Sequence, residues 1–151
     1  ARLPTAMIFA LILHILGAVI WVGGMFFAHF ILRPAAAPLE PAIRLPVMRR
    51  ALARFFPWVW VSIALLLLSG GGMIKLGAGG LAVEIMMGLG IVMMLAFGHL
   101  YFAPWRRFQR ALDGSDLPAA AAQIKRIRYI VLTNLILGLV VVCIGATGPY
   151  W

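Results

Sequence analysis

Four long apolar runs constrain this chain more than any other feature. They lie at about residues 5–32, 58–76, 81–103 and 127–147. Each is long enough to cross a hydrocarbon layer of about 30 Å at about 1.5 Å per residue. Inside lipid every backbone N–H and C=O must bond within the protein, so a spanning segment is a helix or part of a closed barrel. Barrel strands alternate in polarity with period two, and these runs do not. Composition agrees: 64% of residues are hydrophobic, 11% are charged and the mean hydropathy is +1.05. Soluble domains are about 45–50% apolar and about 25% charged. A soluble globule and a disordered chain are both excluded.

The charge is concentrated between the runs. Thirteen Lys/Arg stand against four Asp/Glu, a net charge of +9. The first connection holds Arg33, Arg44, Arg49, Arg50 and Arg54, and the third holds Arg106, Arg107, Arg110, Lys125, Arg126 and Arg128. The second holds only Lys75, and the N-terminus only Arg2. Basic loops stay in the cytoplasm, so both termini are expected outside it, in a multi-pass protein of the cell (inner) membrane. Anionic lipid headgroups are the expected partners of the basic loops. With no platform of interleaved aromatic and basic residues, nucleic acid is not.

The connections carry their own signals. Residues 41–56 place apolar side chains at helical spacing opposite arginines, which predicts a short amphipathic interfacial helix in the first cytoplasmic loop. In the third loop Asp116 is a good N-cap and Pro118 suits a first turn, so the fourth helix begins near Leu117. The second loop, from Gly77 to Gly80, is tight. The first run has a basic flank and no small-residue cleavage pattern, and is expected to be a retained helix. The expected fold is all-α: residues 1–151 form one domain, an antiparallel four-transmembrane-helix bundle.

Three intramembrane histidines and a set of methionines are the residues that could carry chemistry. Ionisable groups within membrane helices usually have a partner or a purpose. His14 and His29 lie on the first helix, about 22 Å apart along its axis, and His99 lies near the basic end of the third. Depth pairs His29 with His99. Phase instead puts His14 beside the stripe of Gly17, Trp21, Gly24 and Ala28 that faces the bundle. Imidazoles on facing helices are axial ligands for b-type haem; otherwise His14 bonds the backbone or the hydroxyl of Ser62 or Ser69. Met86 and Met93 repeat at seven residues on the third helix, and thioethers suit Cu(I), although methionine also fills apolar gaps. Glu84 is an interfacial acid within reach of Lys75. Thr133 and Asn134 are expected to bond between helices. Cys143 is expected to be an inert thiol.

The segments LHILGAVIWVGGMFF with LRPA, and GHLYFAPWRRF on the third helix, resemble the copper resistance D (CopD) family. The pattern of His14, Trp21, Gly23 and Gly24 is also similar to the HemJ-type protoporphyrinogen oxidases, small membrane proteins associated with b-type haem. In those proteins the matching histidines correspond to His14 and His99. Both resemblances imply metal- or haem-related membrane chemistry.

The main expectation is a protein that binds haem b through His14, His99 and His29, acting in electron transfer or as a small oxidoreductase with a quinone or other redox partner. The alternative is a CopD-like copper transport or delivery protein using these histidines with Met86 and Met93. A cofactor-free accessory subunit is the third reading. Glycines on more helix faces than one bundle needs, at Gly23 and Gly90 among others, lead to the expectation of a homodimer.

Overall fold

A computed structural model describes residues 2–151, and all their regular structure is helical. Helix α1 (Thr5–Phe27) continues through a π-helical turn (Ala28–Leu32) into the short α2 (Arg33–Ala36). Then come α3 (Pro41–Lys75), α4 (Leu81–Phe102), α5 (Pro104–Asp113) and α6 (Leu117–Thr147), with a closing 3-10 turn at Gly148–Tyr150. Among the described residues four continuous helical stretches are long and apolar enough to cross a membrane. Phe9, Val19, Leu68, Leu95 and Ile136 are exposed on the outside, as expected where lipid is the solvent. The chain is a multi-pass membrane bundle, with its basic connections gathered at one end.

Local chemistry sets the breaks. Pro34 has no N–H to continue the ladder and crowds the carbonyl four residues back. The helix widens just before it, and the Arg33 N–H reaches five residues back to the Ala28 carbonyl. Pro104 acts on its predecessor, since a residue before proline is kept out of the helical region. Ala103 takes φ −121° and ψ −82°, and the chain turns from α4 into α5. The Asp116 carboxylate accepts the Ala119 N–H at 3.0 Å and caps α6. Gly77 and Gly80 take φ of 100° and 104°, a region open to glycine.

The amphipathic segment of the first loop is not a separate interfacial helix. It forms the opening turns of α3, which runs unbroken through Pro46 and Pro57. Membrane helices tolerate proline where neighbours hold them, and Phe56, beside Pro57, is clamped edge-on by Trp105 at 4.9 Å and Phe97 at 5.5 Å. The separate short helix between the spans is α5. It buries Trp105 and Phe108 and carries Arg106, Arg107 and Arg110 on other faces.

Helix α1 packs mainly on α3, and α4 on α6, while α6 also touches α1 and α3. The expected stripe on α1 is the α3-facing seam. A methyl at Gly17 would stand 3.2 Å from the Ser62 carbonyl oxygen, and one at Gly24 would overlap the Phe55 ring. Aromatic rings fill the centre: Phe97 meets Trp21, Phe56 and Trp60 edge-on at 6.4, 5.5 and 5.0 Å. Each such pair contributes about 0.5–1.5 kcal/mol beyond burial. Arg49 and Asp113 join α3 to α5 at 2.7 Å, the one ion pair among the described residues, so Lys75 and Glu84 do not pair. Thr133 bonds the Tyr129 carbonyl of its own helix rather than a neighbour.

Gly17→Leu is expected to cost about 1–3 kcal/mol through overpacking of the α1–α3 seam. Gly71→Leu, where open space surrounds the position, should stay within about 0.5 kcal/mol. Thermal unfolding in mild detergent compares the two.

Candidate functional site

The centre of the bundle holds a seam of methionines that two glycines make possible. Helix α6 presents Gly138 toward α1 and α4. A Cβ there would meet Val22 at 2.8 Å, the Met93 methyl at 3.1 Å and the Met25 methyl at 3.7 Å. Met25 from α1 and Met93 from α4 therefore converge where α6 has no side chain, and both are buried. Seven residues along α6 the pattern repeats, with the Met86 Sδ 3.1 Å from the position of a Cβ on Gly145. Seven residues is two turns of helix, so Met86 and Met93 lie on one face of α4, about 10 Å apart along the axis.

Asn134 sits one turn from Gly138 toward the basic end. Its Nδ2 donates to the Met93 carbonyl at 3.0 Å, the expected interhelical bond. Its Oδ1 is buried without a partner. The seam thus combines neutral soft thioethers with one unpaired carbonyl oxygen. Such donors suit a soft cation, and the same thioethers pack flexibly against glycine.

The three histidines do not meet. His14 lies in the α1–α3 interface over Gly70, with Nδ1 2.9 Å from the Ser69 hydroxyl. Ser69 donates its proton to the Leu65 carbonyl at 2.5 Å, so the His14 N–H is the donor to Ser69. His99 is exposed in the last turn of α4. His29 belongs to the π turn, edge-on to Phe30 at 4.9 Å, with Nδ1 buried and unpartnered at the basic end. Met87 faces outward, and Cys143 is free and exposed rather than buried. Sequence reasoning singled out Met86 and Met93 but missed the role of Met25 and Gly138. The signal available was the shared period: Gly138 and Gly145 on α6 match Met86 and Met93 on α4 at seven residues.

A family model, Copper resistance protein D (CopD), matches residues 49–147, about two thirds of the chain. The match takes in the GHLYFAPWRRF segment and leaves α1 outside. No curated protein and no solved structure shows significant similarity to the chain. A relation to the HemJ-type oxidases is not shown.

These findings overturn the expectation of a haem-binding electron-transfer protein or oxidoreductase. The matching family is one of copper resistance proteins. Among the described residues no group of three or more His, Cys, Asp or Glu comes together to hold a metal. Haem ligation by His14 and His99 requires them to face each other, yet His14 is engaged with α3 and the space between α1 and α4 is occupied by Trp21 against Phe97. The physical reason is helix order: α1 pairs with α3, and α4 with α6.

Ser69→Ala should destabilise the bundle by about 1 kcal/mol, because it leaves the His14 N–H unpaired in an apolar interface. The double variant Ser69→Ala/His14→Phe should recover most of that loss. Detergent unfolding of the two singles and the double measures the coupling.

Proposed function

Since this chain belongs to the copper resistance protein D family, we propose that it is a copper-handling membrane protein that passes or delivers copper through the bilayer. Copper is the cargo in this reading. The observation that carries it is the convergence of Met25 and Met93 at Gly138, continued by Met86 at Gly145. Thioethers are neutral and soft and favour Cu(I) over hard cations. A monovalent ion between them keeps a single charge in a low-dielectric core, and the unpaired Asn134 Oδ1 beside Met93 offers it a dipole. Stations about 10 Å apart suit stepwise movement along α4.

In the same reading the basic end faces the cytoplasm of an inner membrane. The support is the clustering of eleven of the thirteen basic residues in the first and third connections and the retention of such loops on the cytoplasmic side. Two chains pair through α1 or α4. Gly23, Gly88, Gly90 and Gly98 have open space where side chains would stand, and small residues favour close helix association.

Met25→Leu/Met93→Leu should weaken Cu(I) binding by about tenfold or more, equivalent to about 1.4 kcal/mol or more. Folding should change by less than about 1.5 kcal/mol, because the swap conserves volume. Met87→Leu, on the outer face, should leave binding intact. Competition with a chromophoric Cu(I) chelator and copper accumulation in expressing cells are the measurements; unchanged values in the double variant refute the reading. Cysteines introduced one at a time into a Cys143→Ser background test the rest. A cysteine at Gly114 should be labelled only from the cytoplasm, one at Gly79 only from outside, and one at Gly23 or Gly90 should crosslink between chains.

A further inference from the structure

A cavity of about 490 Å³ opens at the basic end, where the π turn, the start of α3 and the cytoplasm-side half of α6 diverge. Four cationic side chains line it: Arg33, Arg44, Lys125 and Arg128. They come from three separate segments, so folding brings together charges that repel one another. None of the four acidic residues of the chain lines the cavity, and the one ion pair among the described residues is elsewhere, at Arg49 and Asp113. Arg44 Nη1 stands 3.5 and 3.4 Å from the Ala37 and Leu39 carbonyl oxygens. The deeper wall, with Leu52 and Val131, is apolar.

His29 adds a second observation. It lines this cavity from the π turn, and its Nδ1 is buried with no protein partner. A buried polar atom without a partner is costly, and π turns inside helices are frequent at functional sites. The turn exists because Pro34 follows, and it places an unpaired ring nitrogen among uncompensated cations. A free metal cation is repelled from such a place, whereas an anion neutralises it.

We propose that this cavity binds one phosphate-bearing anion. Guanidinium groups match phosphate oxygens two at a time. Three arginines and a lysine offset more than a single negative charge. A phospholipid headgroup and free phosphate share this chemistry. The apolar wall also accommodates the first carbons of an acyl chain, and the cavity lies where basic loops meet headgroups. This is a defined stoichiometric site, distinct from the diffuse attraction that Arg106 and Arg107 exert on any anionic surface, and it stands independently of the copper reading.

Native mass spectrometry of the full chain from mild detergent tests the proposal, with phosphatidylglycerol, phosphatidylcholine and inorganic phosphate as probes. One phosphatidylglycerol retained per chain in preference to phosphatidylcholine, and not displaced by phosphate, identifies a lipid site. Phosphate retained alone, or displacing the lipid, identifies a free-phosphate site. Arg44→Gln/Arg128→Gln should reduce retention about tenfold, whereas Arg106→Gln/Arg107→Gln, with the same change of charge, should leave it unaltered. Lys125→Gln, a single substitution in the cavity wall, should weaken retention severalfold and keeps the test open if the double arginine variant does not fold. Equal losses in the two arginine pairs, or retention of neither probe above phosphatidylcholine, overturns the proposal.

Discussion

Helices in hydrocarbon gain little by burying one leucine against another, because lipid tails are as apolar as the partner helix. Cohesion has to come from close backbone approach, interlocking rings and the few polar groups that find partners. The bundle follows this constraint. Gly17 lets α1 approach the Ser62 carbonyl of α3, and Gly138 lets the side chains of α1 and α4 meet on α6. Phe97 and Phe56 tie α3 and α4 together, Trp21 reaches them from α1, and Trp105 from α5.

The same economy explains where chemistry is available. Three side-chain atoms are buried without partners among the described residues: His29 Nδ1, Gln123 Oε1 and Asn134 Oδ1. His14 is not among them, since Ser69 satisfies it. Asn134 lies beside the converging methionines and His29 lies in the cationic cavity. The two places have opposite character. The seam is uncharged and soft, whereas the cavity is rich in positive charge and open to one end.

Prolines divide these regions. Pro34 creates the π turn that carries His29, and Pro104 ends α4 and starts α5, which spreads its arginines along the basic end. Pro57 has no comparable effect, because rings on α4 and α5 hold Phe56 beside it. One residue type therefore has three outcomes, and the packing around it decides among them.

Much of the fold was legible in the amino-acid order. Length, polarity and the absence of period-two alternation require four helices, since a polar backbone in lipid otherwise closes only as a barrel. The Asp116 cap, the small-residue stripe of α1 and the Asn134 bond follow from local rules of equal simplicity. The α5 helix was legible too, in the spacing of Trp105 and Phe108 between arginines. What only the tertiary structure decided is which helix faces which. Periodicity gives the inward face of each helix and not its neighbour, so an inward His14 was equally compatible with facing α3 or facing α4. The pairing of α1 with α3 and of α4 with α6 separates the histidines, brings Met25 to Met93 across Gly138, and gathers four cations from distant segments around His29. Those contacts depend on complementary shapes between segments far apart in the chain, which no local pattern encodes.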